Sequence, residues 1–360
     1  MHDKNILIMA GGTGGHVYPA LAVADGLKDK GFNLFWLGTD KGLETRVAPE
    51  HGYTLLKITV AGVRGKGFVR ILVTPFMLII ALLQALLIMI RIRPAVVLGM
   101  GGFASGPGGI AAWLMRIPLL IHEQNAIAGL TNRLLAPFAV TVMSAFPDAF
   151  KQSHKLHLTG NPVRNDIANL DEPQKRFVKQ SSDSCKILIL GGSLGALRLN
   201  QIIPEALAEL NDCRIEIKHQ CGAKHLESTK EKYAKLNIQA EVLSFIDDMA
   251  ATYAWADIVV CRAGALTIAE LTACGVASIL IPFPYAVDDH QTENAKFLSN
   301  NGAAILLQEA QLTVEKIKEL LHGLCQSYEQ RIDMAIKARS LAKPQATENV
   351  VELCMEAAHA

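Results

Sequence analysis

Short apolar runs, each closed by glycine or a polar turn and followed by a stretch of helical periodicity, recur along this chain. In the first half, Ile6–Ala10, Asn33–Leu37, Ala95–Gly99, Pro118–Ile121, Val140–Ser144 and Leu156–Thr159 read as strands. Their near-continuous apolar character fits parallel strands buried on both faces, with helices as crossovers. The first predicted helix runs from about Tyr18 to Lys30. Residues 165–184 are polar, contain Pro173 and a Ser-Ser-Asp-Ser run, and read as a linker. The pattern then restarts: Lys186–Leu190 with Gly191-Gly192-Ser193-Leu194-Gly195-Ala196 repeats the design of Ile6–Ala10 and its glycine turn. Arg214–His219, Ala240–Leu243, Ile258–Cys261 and Ser278–Ile281 continue the second set. Helices are expected over Thr313–Ala342 and, past Pro344, over Glu348–Ala358. This predicts two α/β domains with parallel sheets, residues 1–164 and 165–343, with the last helix, 344–360, packing back on the first.

One run breaks the pattern. Ile71–Ile90 carries no charge and is closed by Arg91 and Arg93, which is long and apolar enough for a membrane span. Pro75 and Gln84 interrupt it, and Ala95–Gly99 resumes a buried strand at once, so spanning would put consecutive βαβ units on opposite sides of a membrane. Two readings remain. One is a fully buried crossover helix. The preferred one is a crossover helix with an apolar outer face on lipid and Arg64, Lys66, Arg70, Arg91 and Arg93 near anionic headgroups.

The turns carry the chemistry. Gly11–Gly15 lets the backbone approach a ligand, but Val17 stands where the third glycine of a dinucleotide fingerprint belongs, and Asp40 arrives late for its ribose acid. His16, at the mouth of this loop, reads as a catalytic base or as an ordinary helix N-terminal residue. Gly99–Gly109 is a second glycine-dense turn, and His122-Glu123-Gln124-Asn125 a polar one. Strand ends of this kind face the ligand in open parallel sheets. In the second half, Ile258–Cys261, the break Arg262-Ala263-Gly264 and a helix from Ala265 to Gly275 offer the amides of Ala265, Leu266 and Thr267 to a phosphate. Glu270, one turn on, would accept hydrogen bonds from a ribose, or else lies in solvent in an ordinary βα unit. Asp247 and Asp248 make a poor metal pair and suit a helix N-cap before Met249.

Composition adds exclusions. With 35 Lys and Arg against 34 Asp and Glu, no global field points to nucleic acid. The 7 cysteines include no CxxC pair, which predicts a reduced, cytosolic protein without a zinc site or disulfide framework. The N-terminal segment has no signal-peptide pattern.

Read together, GGTGGHVYPALAVA, GMGGFASGPGG, HEQNAIAGLTN, GNPVR, GGSLGA, FIDDMAATYAWAD, CRAGALTIAE and DDHQTENA resemble, in order and over nearly the whole chain, the MurG family of peptidoglycan N-acetylglucosaminyltransferases. The resemblance implies a GT-B fold, two Rossmann-like domains whose parallel sheets face a cleft. It implies inverting transfer of N-acetylglucosamine from UDP-GlcNAc to the 4-hydroxyl of MurNAc in lipid I, at the cytoplasmic face of the membrane. It places the uracil at Ile246, the ribose on Glu270, and the diphosphate on Ala265, Leu266 and Thr267, with Ile268 and Ala269 behind them and Ser193 beside. Arg164, Gln291 and Asn125 with Thr13, Gly14 and Gly15 complete the donor set. Gly102, Phe103 and Asn132 are acceptor-side candidates, Phe103 standing where tyrosine is frequent in the family. Of the two catalytic candidates, His16 fits a general base by type, and Glu123 competes as base or as the group orienting His16. No cofactor and no essential metal are expected, for want of a placed Asp-x-Asp pair. Other cell-wall synthesis proteins are the expected partners.

Overall fold

The computed structural model describes residues 4–359 apart from 61–67, 180–183 and 193–194, and the side chains of 68–73 and 177–179 are also outside the description. The chain divides into two compact units, Met1–Arg164 with Lys343–Ala360, and Asn165–Ala342.

The first unit is built on a parallel sheet of 7 strands. Its elements are β1 (Asn5–Met9), α1 (Gly14–Asp29), β2 (Asn33–Gly38), α2 (Glu44–Glu50), β3 (Thr54–Lys57), α3 (Phe68–Ile92), β4 (Val96–Gly99), α4 (Ser105–Leu114), β5 (Leu119–Glu123), α5 (Leu130–Leu135), β6 (Thr141–Ser144) and β7 (Leu156–Leu158). The order β3-β2-β1-β4-β5-β6-β7 reverses direction between β1 and β4. That switch point is where open sheets bind ligands. Ile6, Ile8, Val96 and Leu98 face one core with α1 and the C-terminal helix, while Leu7, Met9 and Val97 face another with α3 and α4. Such strands must be apolar on both faces, which is why they read as unbroken runs.

The second unit repeats the plan with 6 strands in the order β10-β9-β8-β11-β12-β13. It comprises α6 (Asn165–Ala168), α7 (Pro173–Lys179), β8 (Cys185–Leu190), α8 (Leu197–Ala208), β9 (Ile215–Gln220), α9 (Leu226–Lys235), β10 (Glu241–Leu243), α10 (Met249–Trp255), β11 (Ile258–Cys261), α11 (Ala265–Cys274), β12 (Ala277–Leu280), α12 (His290–Ser299), β13 (Ile305–Leu306), α13 (Val314–Gln326) and α14 (Tyr328–Ser340). Its switch point lies between β8 and β11. The last helix, α15 (Ala346–His359), packs on α1 in the first unit.

Two expectations need correcting, and of the two readings of the long apolar run the fully buried one fails. Residues 165–184 are more than a linker: α7 forms there, and Arg176, 6% exposed, donates to Tyr253 O at 3.3 Å, to Cys274 O at 2.5 Å and to Gly275 O. A polar composition hid a residue whose guanidinium closes the orphan carbonyls of α11. α1 begins at Gly14 rather than near Tyr18, so the glycines form its first turn. Finally, α3 is not fully buried. Ala81, Ala85, Met89 and Ile92 face the core, whereas Phe76, Ile79, Ile80, Leu83, Leu87 and Ile90 are at least half exposed. Of the calls on its basic flank, Arg64 and Lys66 lie outside the described residues and the side chain of Arg70 outside the description; Arg91 and Arg93 are exposed.

Candidate donor and transfer sites

In the first unit, the turn after β1 rests on a residue the sequence reading passed over. Glu44 is fully buried; its Oε2 accepts from Gly12 N at 2.9 Å, and its Oε1 from Thr39 N at 3.0 Å and Thr39 Oγ1 at 2.9 Å. A Cβ on Gly11, Gly38 or Gly42 would come within 2.6 Å or less of that side chain. The three glycines therefore make room for a carboxylate that sets the turn. Asp40, weighed as a ribose acid, instead lies exposed beside Lys57 at 3.8 Å.

His16 sits in the first turn of α1, and its Nδ1 lies 3.3 Å from Gly11 O. A carbonyl only accepts, so Nδ1 carries the proton in that bond, and the neutral ring has its lone pair on Nε2. The ring packs on the second glycine turn, where a Cβ on Gly101 would fall 2.7 Å from His16 Cδ2. Gly101 and Gly102 take φ of 97° and 91°, and a Cβ on Gly102 would be 2.5 Å from Gly11 O. The two turns flanking the switch point thus meet backbone to backbone, which only glycine permits. Thr13 is the extended residue before α1, and Gly14 and Gly15 present its leading amides. Phe103, following Gly102 in the second glycine turn, is 55% exposed.

The HEQN turn after β5 is an organised network. Glu123, 2% exposed, accepts from four N–H groups: Asn125 N at 3.0 Å and Asn125 Nδ2 at 3.1 Å on Oε1, Gly129 N and Asn132 Nδ2 at 2.9 Å on Oε2. A carboxylate has about four lone-pair positions, so both oxygens are committed to shaping residues 123–132. Asn132 is 3% exposed and also donates to His122 O at 3.0 Å. Both bonds tie Asn132, an acceptor-side candidate from the sequence, to this turn. Asn125, half-buried, is held by Glu123. His122 donates from Nε2 to Gly160 O at 2.9 Å, and burial pushes it down to about 4, so it stays neutral. Arg164, half-buried, closes the unit.

In the second unit, β11 ends at Cys261 and Gly264, extended at φ −65° and ψ 145°, leads into α11. The amides of Ala265, Leu266 and Thr267 are the first of that helix and have no intrahelical partner. A 10-residue helix adds the positive end of its dipole there. Asn294, fully buried, steadies the turn by donating to Ala263 O at 3.1 Å. Ile268 and Ala269 continue the helix. Glu270 is not in solvent: it is 8% exposed, and Oε2 accepts from Tyr253 Oη at 3.0 Å. Tyr253 is fully buried on α10, and burial followed by the Glu270 charge raises its phenol well above the usual range, so it remains a donor. Asp248 caps α10 through Ala251 N at 2.9 Å, as the sequence predicts. Ile246, 8% exposed, precedes that cap. Gln291 Oε1 accepts from Phe283 N at 2.9 Å, tying down a loop in which Asp288 and Asp289 both take φ of 52°. Successive left-handed non-glycine residues are uncommon and mark a constrained loop. Ser193 lies outside the described residues.

Two parallel-sheet units, each with its polar turns at the switch point, form the GT-B architecture. Residues 6–144 match the glycosyltransferase family 28 N-terminal domain and residues 186–350 its C-terminal domain. The chain is 50% identical over 357 residues, 99% of itself and 98% of the relative, to the UDP-N-acetylglucosamine--N-acetylmuramyl-(pentapeptide) pyrophosphoryl-undecaprenol N-acetylglucosamine transferase of Marinobacter nauticus. It is 51% identical over 355 residues, 98% of itself and 99% of the relative, to the enzyme of the same name from Nitrosospira multiformis. The crystal structure of MurG from Acinetobacter baumannii superposes with a TM-score of 0.85 at 42% identity, covering 98% of this chain and 99% of that one. The chain belongs to the MurG family of glycosyltransferases. A putative UDP-N-acetylglucosamine 2-epimerase from Listeria monocytogenes, 15% identical with a TM-score of 0.67 over 96% of this chain and 94% of that one, shares the fold alone.

Proposed function

We propose that this chain transfers N-acetylglucosamine from UDP-GlcNAc to the MurNAc of lipid I, the undecaprenyl-pyrophosphoryl-MurNAc-pentapeptide, giving lipid II for peptidoglycan. The observation that carries the reading is the identity of about half over 357 residues with a relative named for that transfer. The second unit receives the donor: α11 supplies amides to the diphosphate, and Glu270, held by Tyr253, takes the ribose hydroxyls. As UDP leaves, its growing charge falls on those amides and on the helix dipole. The first unit supplies the base. His16 Nε2 takes the proton of the attacking 4-hydroxyl while Nδ1 stays on Gly11 O, so the ring need not rotate as it charges. Glu123, its lone pairs committed, is a positioning residue. Incubation of labelled UDP-GlcNAc with a lipid I analogue should yield a labelled lipid-linked disaccharide with inverted anomeric configuration. Formation of UDP-N-acetylmannosamine, as a 2-epimerase would give, or release of UDP without lipid product would overturn the reading.

The acceptor's undecaprenyl tail requires that the site come to a membrane surface, and the outer face of α3 supports peripheral attachment at the cytoplasmic leaflet. Trp113 and Phe138, on and beside the neighbouring helices α4 and α5, extend that apolar face with rings 4.9 Å apart, and Arg91, Arg93 and Arg116 lie exposed near it in the chain. Replacing Ile79, Leu83 and Leu87 together by Ser should cut partitioning onto anionic vesicles by more than about tenfold. Transfer to a short-chain soluble acceptor should persist. Unchanged vesicle binding would remove this face from consideration.

A further inference from the structure

The opposite edge of the second unit gathers metal-ligating groups that sugar transfer does not call for. Cys185 opens β8 and pairs in register with Ile215, the first residue of β9. Cys185 and the nearby Cys213 therefore lie at the amino ends of these strands, away from the turn at 191–196. From α13 come His322 and Cys325, one turn apart and so on one face of that helix. His322 Nε2 lies 2.8 Å from Asp212 Oδ2, and Cys213 Sγ 3.8 Å from Asp212 Oδ1. Gln326 Nε2 reaches Asp212 Oδ2 and Cys213 Sγ, each at 3.5 Å. Ligand atoms of Asp212, Cys213 and His322 all fall within 4.8 Å of one another. Cys325, a free thiol like Cys185 and Cys213, lies near both.

Thiolate, imidazole and carboxylate together are the donor set of zinc-class ions. Bonds of about 2.0–2.3 Å to a tetrahedral ion put ligand atoms roughly 3.3–3.8 Å apart; the three here lie within 4.8 Å of one another, so side-chain rotation suffices to close on an ion. An ion pair between Asp212 and His322 alone would need no thiols, and cysteine is otherwise among the most buried residue types. Here Cys213 is half-exposed and Asp212 exposed, which leaves an ion a way in. We propose that Asp212, Cys213 and His322 form a three-ligand zinc site, its fourth position open to water, that ties the α8–β9 connection to α13. On loading, each ligating thiol gives up its proton to solvent, and His322 moves its proton to Nδ1 so that Nε2 offers a lone pair. Affinity should therefore rise with pH. The spacing of the cysteines along the chain gives no sign of this cluster, because its members are brought together from segments 110 positions apart.

The full-length protein, stripped with a chelator and kept reduced, should be titrated with Co²⁺. One ion per chain is expected, with a thiolate-to-metal charge-transfer band in the near ultraviolet, intense visible bands of tetrahedral coordination, and displacement by Zn²⁺. Cys213→Ser should remove most of the charge-transfer band. His322→Ala should weaken Zn²⁺ binding by at least the ten- to hundredfold lost with an outer-shell partner, or about that. Asp212→Asn, at an exposed position, tests the same ligand set with little risk to folding. Zn²⁺ should raise the melting temperature of the native chain and leave that of the Cys213→Ser variant unmoved. Transfer of sugar should proceed in all of these variants. Absence of the charge-transfer band, or Co²⁺ binding indifferent to Cys213→Ser, would overturn the proposal. A Cys213–Cys325 disulfide formed in air by protein that takes up no metal would overturn it as well.

Discussion

The turns after β1 and after β8 begin with the same Gly-Gly pair and are held in opposite ways. In the first, a buried carboxylate, Glu44, accepts from Gly12 N and from both donors of Thr39. In the second, a neutral amide grips one residue through both its backbone groups: Gln220 Oε1 accepts from Gly192 N at 3.0 Å, and Nε2 donates to Gly192 O at 3.0 Å and to Ser244 O at 3.0 Å. A carboxylate has no proton to give, so the Glu44 clamp engages only donors. Gly11 O is thereby left to orient His16. The second turn spends both polar groups of Gly192 on its own shape. One turn leaves a carbonyl for the proposed base and the other is closed on itself, while the free amides of that unit stand at the start of α11.

The largest expected effect follows from that division. His16→Ala should lower kcat by about a hundred- to ten-thousandfold, with the UDP dissociation constant nearly unchanged. Steady-state kinetics beside calorimetry separate the two quantities. A Glu123→Ala variant that loses kcat while His16→Ala keeps it would reverse the assignment.

Each unit also carries a buried neutral histidine, and here the two should behave alike. Burial pushes His122 down to about 4 and His219 down to about 3, the latter between Tyr233 and Asn200 at 3.0 Å each. Unfolded histidine titrates near 6.5, so below that pH the unfolded chain binds the extra proton. The stability these groups contribute is complete above about 6.5 and falls with pH down to about 4, by up to roughly 1.4 kcal/mol per pH unit for each histidine. Urea denaturation at stepped pH reads this directly. A flat profile across the window would mean that the folded protein accepts the protons.

On the donor side, Glu270→Ala should weaken UDP-GlcNAc binding by about ten- to a hundredfold, the value of about 1.5–3 kcal/mol lost with hydrogen bonds to a charged group. Calorimetry with UDP alone suffices, and an unchanged affinity would exclude Glu270 from the site. The clamps can then be compared with each other. Glu44→Gln turns an amide hydrogen toward Gly12 N or Thr39 N and should cost roughly 1–3 kcal/mol of stability, with a drop in kcat because the Gly11 carbonyl shifts. Gln220→Leu should cost a similar amount of stability and act on donor affinity instead. Equal kcat losses in both variants would erase the distinction between the turns.

The sequence alone determined the βα alternation, the restart of the pattern at Lys186, the glycine turns at both switch points and the N-cap at Asp248. These follow from features a few residues wide: apolar runs suited to strands covered on both faces, glycines where backbones must touch, and an acid one step before a helix. Family motifs read on the same scale named His16, Glu123 and Glu270. Only the tertiary structure showed which partners those residues have. Glu123 reads identically as base or as scaffold until the donors from Asn125, Gly129 and Asn132 are seen around it. Glu44, Tyr253, Arg176 and the cluster at Asp212, Cys213 and His322 were invisible in one dimension. Each works through partners far along the chain or, for Glu44, through space cleared by three separate glycines. Local pattern carries backbone preference and burial, whereas the role of a polar side chain depends on which lone pairs and protons the fold leaves it.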